Sequence, residues 1–322
     1  MKPSISVVIP AYNVSKYIGQ ALDSVLAQTF ADWECIVVDD GSKDDTAARV
    51  EAFADPRIRL VRQENAGVSV ARNAGLAAAA AEAVTFLDGD DTFHPTALAR
   101  LHAALAAHPE AILVFGTSMR MLPSAEIEPG QKPPSAHAYE TGDINRAMLT
   151  HGRVFWNGGQ ILARAEAVRR AGGYTRGIRL SQDWEMFCRL TALGPCVFIG
   201  PQDEILRHRV HPESTVPRLS VLLDSHLPAI DAVFGNEVLR ARYDPAEWRA
   251  MHQEVLANHT FECGRQNFIQ RRFGEARKLM WRGIALKPSK RRVAIFALAL
   301  ASQAIDRPLV GVLRYNVRPA AE

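Results

Sequence analysis

The chain has 322 residues, of which 48% are hydrophobic and 23% are charged, and its formal net charge is +3 at pH 7. This composition excludes an intrinsically disordered chain and provides enough apolar side chains for a sizeable core. The small net charge identifies no acidic partner.

The apolar segments and the cysteines indicate where the protein resides. Met1-Lys2-Pro3 leads straight into a strand-like run, so we expect no signal peptide. The longest apolar segment, Val293 to Ile305, is too short to span a bilayer. The four cysteines show no Cys-x-x-Cys spacing, so we expect reduced, buried thiols. We therefore predict a cytoplasmic protein, with peripheral contact at the inner face of the plasma membrane as the alternative location.

Apolar runs with strand propensity alternate with amphipathic helical patterns as far as Phe115. The predicted strands are Ile5–Ile9, Trp33–Val38, Ile58–Val61, Val84–Leu87 and Ile112–Phe115. The predicted helices follow a Ser15 cap, a Ser42–Asp45 capping box, the Asn65–Gly67 turn and Pro95. This alternation predicts an α/β fold with a mostly parallel sheet and helices on both faces.

Three polar clusters follow predicted strands. They are Pro10-Ala11-Tyr12-Asn13, Asp39-Asp40-Gly41-Ser42 and Asp88-Gly89-Asp90-Asp91. Because parallel sheets bind ligands beyond the carboxyl ends of their strands, we expect the clusters to converge on one site. Neither Gly-x-Gly-x-x-Gly nor a P-loop follows a strand, which disfavours a dinucleotide oxidoreductase or a P-loop enzyme. A phosphate bound here would need a metal ion to supply positive charge.

The third cluster carries three carboxylates. Strand periodicity would place Asp88 and Asp90 on one face, with Asp91 turning away. Carboxylates this close repel one another, and Mg²⁺ or Mn²⁺ would relieve the repulsion while also binding phosphate oxygens and water. The alternative is a solvated acidic turn, in which Asp91 or Thr92 caps the helix that Pro95 begins. The cluster alone does not decide between these two interpretations.

After the fifth predicted strand the pattern changes. Thr117 to Gly142 is rich in Pro, Gly and Ser, and we predict a long loop. A short strand ending at Leu162 and an amphipathic helix over Asp183–Leu193 follow. We predict edge strands over Cys196–Ile199 and Ile205–Val210.

Six motifs stand out along the chain: Ser6-Val7-Val8-Ile9-Pro10-Ala11-Tyr12-Asn13, Val37-Val38-Asp39-Asp40-Gly41-Ser42, Asn65-Ala66-Gly67-Val68-Ser69-Val70-Ala71-Arg72-Asn73, Phe86-Leu87-Asp88-Gly89-Asp90-Asp91, Gly172-Gly173-Tyr174 and Asp183-Trp184-Glu185. In this order they resemble the family-2 glycosyltransferases of the GT-A fold, and they cover the chain up to about Thr215. The resemblance implies a GT-A (Rossmann-like) fold. It also implies an inverting transfer from a nucleotide-diphosphate sugar, most often a UDP-sugar, to an acceptor hydroxyl in cell-surface glycan synthesis.

The resemblance further implies roles for particular side chains. Asp40 is expected to bind the base of the donor nucleotide, and Pro10 and Tyr12 to line the same pocket. Asp90 and Asp91 are expected to meet the metal ion, Mn²⁺ or Mg²⁺, and the donor diphosphate.

Three further residues complete the predicted donor site. Asp88 matches the first position of the acidic motif, and Asp39 precedes Asp40 in the second cluster. Arg72 follows the turn at Gly67, where it can reach a phosphate, although a surface arginine is the alternative.

The remaining site predictions concern the metal and the acceptor. His211 is a candidate metal ligand, and a satisfied structural histidine is an equal alternative. Trp156 and Trp184 are candidates for the acceptor pocket, although aromatic residues beside short strands more often pack in a core.

The carboxylate that matches Asp183 is the general base in the resembling family. Inversion is a single in-line displacement, in which one carboxylate takes the proton of the attacking hydroxyl and a metal ion stabilises the leaving diphosphate. The alternative role for Asp183 is a favourable charge in the first turn of a helix. Gln182 stands where many members carry Glu, so acceptor recognition does not transfer by analogy.

Two other functions stay open from the sequence. A sugar-phosphate nucleotidyltransferase would need a Gly-rich, basic loop after the first strand, and Pro10-Ala11-Tyr12-Asn13 supplies none. An inactive nucleotide-sugar-binding interaction protein would have no need to retain Asp40, Asp90, Asp91 and Asp183 together.

We divide the chain into a catalytic domain over residues 1–216 and a helical C-terminal region over 217–322, where the strand signal disappears. Basic residues cluster between Arg265 and Arg292, next to the apolar Val293–Ile305 segment. This pattern is typical of contact with anionic lipid or a lipid-linked acceptor, and also of a solvated basic face on a core helix. A homodimer contact is a further alternative. No nucleic-acid-binding motif accompanies the charge, so we expect no nucleic acid partner.

Overall fold

The computed structural model describes residues 2–129, 141–151, 157–200, 204–211 and 219–304. Within these ranges lie the strands β1 (Ile5–Ala11), β2 (Trp33–Asp39), β3 (Ile58–Arg62), β4 (Ala83–Phe86), β5 (Thr92–Phe93), β6 (Leu113–Phe115), β7 (Thr117–Met121), β8 (Ile161–Arg164), β9 (Cys196–Phe198) and β10 (Glu204–Arg209). The α-helices are α1 (Ile18–Leu26), α2 (Thr46–Glu51), α3 (Val68–Ala78), α4 (Ala97–Ala107), α5 (Asn145–His151), α6 (Ala165–Arg170), α7 (Gln182–Thr191), α8 (Leu227–Phe234), α9 (Glu237–Arg240), α10 (Pro245–Ile269), α11 (Phe273–Leu286) and α12 (Lys290–Ala304).

The chain divides into two compact units. The first contains Met1–Met148 and Gly152–His211, and the second contains Leu149–His151 and Pro212–Glu322. All of the strands named above belong to the first unit, and α8 to α12 belong to the second. The first unit ends five residues before the boundary that we predicted after residue 216.

The main sheet of the first unit has seven strands in the order β3-β2-β1-β4-β8-β6-β9. β1 pairs in parallel with β2 and β4, whereas β8 runs antiparallel to β4 and β6. Every residue of β1 is buried, because the strand lies at the centre of the sheet and is covered on both faces. The predicted mostly parallel sheet flanked by helices is confirmed.

Two helices show how the sequence fixes this packing. In α1 the residues that face the core are Ile18, Ala21, Leu22 and Val25, which recur at helical spacing. In α3 a methyl group on Gly75 would lie 2.2 Å from Cγ1 of Val8. The helix therefore lies directly against β1 only because residue 75 has no side chain.

The predicted helix starts at Ser15 and Ser42 are wrong. α1 begins at Ile18 without a side-chain cap, and the backbone N–H of Ser15 donates to Asp44 Oδ2. α2 begins at Thr46, and the hydroxyl of Ser42 accepts a hydrogen bond from the backbone N–H of Asn13. Both serines hold the loops after β1 and β2 in place, because the polar groups there bond across to the neighbouring loop.

The second half of the first unit also differs from the prediction. β7 forms within the stretch that we predicted to be a loop, and β10 lies at the centre of a three-stranded sheet with the order β5-β10-β7. β10 is therefore not an edge strand, whereas β9 lies at the edge of the main sheet as predicted. All four cysteines are buried and free, as predicted.

The helices of the second unit pack through small residues. A methyl group on Gly264 of α10 would lie 2.6 Å from Cγ of Met280, and one on Gly283 of α11 would lie 2.8 Å from Cβ of Phe261. These two glycines let α10 and α11 approach closely along their length. Across the described part of the chain, we find no helix that is both long enough and apolar enough to cross a membrane.

Candidate active site

The polar clusters that follow β1, β2 and β4 lie at the carboxyl ends of three neighbouring strands. Asp39 is the last residue of β2, and Asp88 follows the end of β4 by two residues. β4 ends at Phe86 and the N–H of Asp91 donates to the carbonyl of Asp88, so the strand alternation predicted for Asp88 and Asp90 does not extend to them. Their carboxylates therefore have different partners.

Arg72 joins two of the predicted site residues. Its Nη2 donates to Oδ1 of Asp88 at 2.6 Å, and its Nη1 lies 3.2 Å from Oδ1 of Asp183. The guanidinium is almost completely buried and lies over the ring of Tyr174, 4.8 Å from its centroid. Burial disfavours the charge, but the Asp183 and Asp88 carboxylates hold the pKa of Arg72 above its ordinary value. Arg72 is thus a buried cation shared by two carboxylates.

The two carboxylate oxygens of Asp183 differ in their contacts, and Oδ1 has the closer ones. Its Oδ1 also accepts the hydroxyl hydrogen of Tyr174 at 3.2 Å, whereas its Oδ2 lies 3.4 Å from the amide nitrogen of Gln182. Burial raises the pKa of Asp183 to about 6, although the nearby guanidinium of Arg72 lowers it. A carboxyl group with this pKa is mostly ionised at pH 7 and remains a usable base.

The backbone around Tyr174 explains why its hydroxyl reaches Asp183. The side chain of Asn73, next to Arg72 in α3, accepts from the N–H of Tyr174 and donates to its carbonyl, both at 2.8 Å. Gly173 has a φ of +63°, and a methyl group there would lie 2.5 Å from the Asn73 side chain. Only glycine fits between these groups. Burial raises the pKa of Tyr174 well above 10, so its hydroxyl stays protonated and donates.

A buried ion pair ties α7 to the same turn. Arg189 bonds both oxygens of Glu185, at 2.7 and 2.6 Å, and Glu185 is 2% exposed. The same guanidinium donates to the carbonyl of Gly173 at 2.8 Å. Because Asp183 lies in the first turn of α7 and Tyr174 follows Gly173, this pair helps to fix the distance between the carboxylate and the hydroxyl.

The Asp91 carboxylate is fully buried and points at the second sheet. Its Oδ1 accepts the N–H of Arg209 at 2.8 Å, and its Oδ2 accepts from Asn157 at 3.1 Å and from His208 Nδ1 at 3.2 Å. Burial raises the pKa of Asp91 to about 6. Burial also opposes the charge on His208, but the Asp91 carboxylate outweighs it and raises the pKa of His208 to about 9. At neutral pH the two form an ion pair, and the predicted metal role of Asp91 finds no support in this geometry.

Asp90 faces His211 instead. Oδ2 of Asp90 lies 2.9 Å from Nε2 of His211, whose ring packs on that of Tyr17 with centroids 4.8 Å apart. The buried guanidinium of Arg209 donates to the backbone carbonyl of Asp90 at 2.8 Å and also bonds the side chain of Gln20. The position of Asp90 is therefore fixed from α1 and from β10.

Asp90 and His211 are the residues that fit a divalent metal ion. They bring a carboxylate oxygen and an imidazole nitrogen together, and Nδ1 of His211 is buried with no hydrogen-bond partner among the described residues. Within the described ranges no group of three or more His, Cys, Asp or Glu side chains is arranged to hold a metal ion. A two-ligand site suits Mg²⁺ or Mn²⁺, which commonly take their other ligands from substrate phosphates and water. An imidazole ligand favours the transition-metal ion of the two.

The predicted nucleotide-binding residues lie at the ends of β1 and β2. Oδ1 of Asp40 accepts from the side chain of Gln63 and the N–H of Ala66, and Oδ2 accepts from the N–H of Gly67. Asp40 thereby holds the turn that begins α3. Asp39 accepts from the N–H of Ser42 at 3.0 Å.

Pro10 and Tyr12 differ in their exposure. Pro10 is buried within β1, opposite Val38, whereas Tyr12 is 45% exposed. Tyr12 thus presents an aromatic ring to solvent at the carboxyl edge of the sheet.

The two predicted acceptor residues have different outcomes. Trp184 is 7% exposed, and its indole N–H donates to the carbonyl of Met148 at 2.9 Å, so its contacts are those of a core residue. Trp156 lies outside the described residues. Sequence reasoning assigned no separate role to Tyr174, Asn157, His208 or Arg209, and only the Gly-Gly-Tyr motif and the basic run in β10 marked their positions.

The comparison with known protein families decides the class of this site. The profile of the family described as "Glycosyl transferase family 2" matches residues 6–174, which is more than half of the chain. The chain belongs to glycosyl transferase family 2. The family predicted from the motifs is confirmed, and family-2 membership supports the interpretation of the protein as a transferase.

Relatives with curated descriptions are matched over part of their length. The chain is 29% identical over 235 residues to the chondroitin synthase of Escherichia coli, a match that covers 71% of this chain and 32% of the synthase. Matches to eight such relatives cover between 16% and 38% of the relatives' own length.

Two solved structures resemble the fold. TarS of S. aureus, solved with UDP-GlcNAc, has a TM-score of 0.64 at 18% identity, and the match covers 95% of this chain and 88% of the TarS chain. The mannosyltransferase PcManGT of Pyrobaculum calidifontis, solved with GDP-Man and Mn²⁺, has a TM-score of 0.60 at 18% identity, covering 98% and 84% of the two chains. At these identities the likeness shows the fold alone, and it confirms the predicted fold class.

Proposed function

We propose that the chain transfers a sugar from a nucleotide-diphosphate donor to an acceptor hydroxyl, with inversion at the anomeric carbon, in the synthesis of a cell-surface glycan. The observation that carries the proposal is the series of contacts from Asp88 through Arg72 to Asp183. It connects the carboxyl end of β4, where sheets of this kind bind ligands, to a carboxylate able to act as a base.

Asp183 is the general base in this proposal. Tyr174 and Arg72 hold its Oδ1, while Oδ2 contacts only the Gln182 amide among the described residues. We therefore assign Oδ2 to the proton of the acceptor hydroxyl. As that oxygen bonds to the anomeric carbon, the bond from this carbon to the donor diphosphate breaks and the proton passes to Asp183.

Arg72 orients the base and keeps it ionised. Its charge lowers the pKa of Asp183 against the effect of burial, which raises that pKa and disfavours the ionised carboxylate. The same guanidinium bonds Asp88, so the base and the strand end keep a fixed separation.

The donor lies across the ends of β1, β2 and β4 in this proposal. The exposed ring of Tyr12 offers a surface for the nucleobase, next to Pro10, Asp39 and Asp40. UDP is the nucleotide that we propose, and the UDP-GlcNAc bound to TarS supports it. The chondroitin synthase relative supports a glycan as the acceptor.

Asp90 and His211 would hold a divalent cation here, and such a cation, when bound, stabilises the negative charge that develops on a leaving diphosphate. The Mn²⁺ bound to the mannosyltransferase of similar fold supports this assignment.

A donor screen with two measurements tests the function. The full chain is incubated with Mn²⁺ and with UDP-, GDP- or dTDP-sugars, and both its melting temperature and the release of nucleoside diphosphate in the presence of acceptor oligosaccharides are followed. We expect one UDP-sugar to raise the melting temperature and to be turned over, with the product anomer inverted by NMR. Binding without turnover of any donor would instead identify a nucleotide-sugar-binding protein, and a retained anomer would remove Asp183 from the role of base.

A further inference from the structure

Helix α12 exposes an apolar face. Among its residues Val293 is 49% exposed, Leu298 is 41% exposed and Leu300 is 39% exposed. The opposite side of the helix is buried through Arg292 and Ala299. Beyond its first turn the helix is therefore almost apolar all round, yet only one side is covered by the described residues, and such helices are normally enclosed.

The exposed residues of α12 form one continuous surface. They recur at spacings of three and four, which places them on one side of a helix. We call this surface the apolar face, and its residues are Val293, Ala294, Ala297, Leu298, Leu300 and Ala301.

An exposed tryptophan extends the apolar face onto the neighbouring helix. Trp281 of α11 is 61% exposed, and its ring centroid lies 6.1 Å from that of Phe296 in α12. Phe296 lies between Val293 and Leu300 in helical spacing, so the indole adjoins the edge of the apolar face. A ring that is apolar in its body and polar at its N–H suits a boundary between water and hydrocarbon.

Three exposed basic residues occur in the same two helices as this tryptophan and the apolar face. Arg277, Arg282 and Lys290 are exposed and form no ion pair within the described residues. By contrast, Glu254 binds both Lys287 and Arg292. Helical spacing places Arg277 one turn from Trp281 and Lys290 one turn from Val293, and Arg282 follows Trp281 in the sequence, so these cations adjoin the apolar face.

One of these cations, Lys290, lies at the end of its helix where the helix dipole disfavours a positive charge. Lys290 is the first residue of α12, whose first turn contains no acidic residue. The amino end of a helix carries partial positive charge, so a lysine there is unfavourable unless an anion is near, and the anion recorded at this helix end, Glu254, is bound to Lys287 and Arg292. This position points to an anionic partner.

We propose that the apolar face, with Trp281, Arg277, Arg282 and Lys290, binds the surface of an anionic membrane. The apolar side chains enter the boundary between headgroups and acyl chains, and the cations contact the lipid phosphates. This proposal concerns the second unit alone and does not depend on the proposed function of the first.

Other partners fit the surface less well. A nucleic acid would pair with the cations and leave the aliphatic side chains in water. A second copy packed on this surface would place the cations of both copies in one interface with no acidic residue of the face to offset them, which costs free energy. An anionic membrane satisfies the charges and the apolar side chains at once.

Vesicle sedimentation of the full chain tests the proposal. We expect binding to vesicles of phosphatidylglycerol and phosphatidylcholine, much weaker binding to phosphatidylcholine alone, and a decrease of binding as salt rises. Arg277→Glu with Arg282→Glu should weaken binding by about tenfold or more, because each basic residue near an anionic surface adds appreciably to affinity. Trp281→Ser with Leu298→Gln should weaken it through lost apolar contact.

Matched variants in the same unit serve as controls. Val238 is 73% exposed on α9, and Arg249 is exposed on α10. Val238→Gln and Arg249→Glu make the same kinds of change elsewhere, and both should bind vesicles like the unchanged chain. Melting curves confirm that each variant is folded.

Three results would overturn the proposal. They are equal binding to neutral and anionic vesicles, equal losses in the test and control variants, and a dimer in lipid-free buffer that dissociates in the Trp281→Ser, Leu298→Gln variant. The last result, measured by light scattering, would assign the apolar face to a second copy of the chain.

Discussion

The hydroxyl of Tyr174 donates to the same carboxylate oxygen of Asp183, at 3.2 Å, that lies 3.2 Å from the guanidinium of Arg72. The two oxygens of Asp183 are therefore unequal. One oxygen accepts the hydroxyl hydrogen of Tyr174 and lies in an ion pair with Arg72, whereas the other has, among the described residues, only a long contact with Gln182. A carboxylate held in this way can rotate little, so its second oxygen keeps one direction.

Replacing the base should separate binding from turnover. We expect Asp183→Asn to lower kcat by about 10²- to 10⁴-fold, because an amide cannot take the proton of the acceptor. Affinity for UDP, measured by calorimetry with Mn²⁺, should stay unchanged. Asp23→Asn, the same change at an exposed position of α1, is the matched control. Turnover near that of the control would exclude Asp183 as the base.

Removing the hydroxyl of Tyr174 should move the pH dependence of the reaction. The rate should rise with pH through the pKa of Asp183, which is about 6, because only the ionised carboxylate accepts a proton. The Tyr174 hydrogen bond favours the ionised form, so Tyr174→Phe should raise that pKa and shift the acidic limb of kcat/KM, which reports the free enzyme, upward by about one pH unit. Tyr243→Phe, in the second unit, controls for loss of a hydroxyl. A lower kcat with an unshifted limb would give Tyr174 a purely structural role.

Removal of the proposed metal ligand should matter only when the metal is present. We expect Asp90→Ala to weaken UDP binding by about tenfold or more in Mn²⁺, since one of two protein ligands is lost. In chelator, the variant and the unchanged chain should bind UDP equally. An equal loss of affinity in both buffers would mean that Asp90 supports the fold of the site and not a cation.

The ion pair between Asp91 and His208 should contribute to stability. His208→Ala leaves a fully buried carboxylate without its charged partner, and we expect a loss of about 3 kcal/mol in the free energy of unfolding. Adding Asp91→Asn should recover part of that loss, because the buried charge is then gone. Denaturant unfolding of both single variants and the double variant measures the coupling. Additive effects would show that the two side chains do not interact.

The contact between α3 and β1 offers a comparison of two glycines. At Gly75 a methyl group would lie 2.2 Å from Val8, whereas at Gly19 in α1 no heavy atom lies within 4 Å. We expect Gly75→Ala to destabilise the fold by about 1–3 kcal/mol through overpacking. Gly19→Ala should stabilise it by about 0.5–1 kcal/mol, because alanine loses less entropy in a helix. Melting curves test both, and a stable Gly75→Ala variant would mean that α3 can move away from β1.

Local patterns predicted the main sheet because its strands are apolar on both faces. The runs at Ile5 and Trp33 mark buried strands without reference to any other part of the chain. β5 and β7 escaped prediction because both are held by pairing with β10, more than 80 residues away from either. The predicted cap at Ser42 failed because its hydroxyl accepts the N–H of Asn13 in the neighbouring loop, and Ser15 lies before α1 with its backbone N–H bonded to Asp44.

The candidate site was predictable in part, because some of its residues lie in short sequence motifs. Asp88 and Asp90 could be named because their residue type and spacing carry a chemical meaning, whereas Asp183 could be named only through the resemblance of its motif to the family. The sequence could not show that Asp91 would be enclosed by His208 and Asn157, since those residues are more than 60 positions away. Contacts made through the tertiary fold decide which carboxylates remain accessible.

Arg72 forms ion pairs with both Asp88 and Asp183, so in the proposed reaction the charge on one carboxylate affects the other. If a ligand neutralises Asp88, Arg72 can pair more strongly with Asp183, which lowers the pKa of Asp183 and makes it a weaker base. If Asp183 takes up a proton, Arg72 can pair more strongly with Asp88. Binding of the donor and activation of the acceptor would then influence each other through the Arg72 side chain alone, without any movement of the backbone.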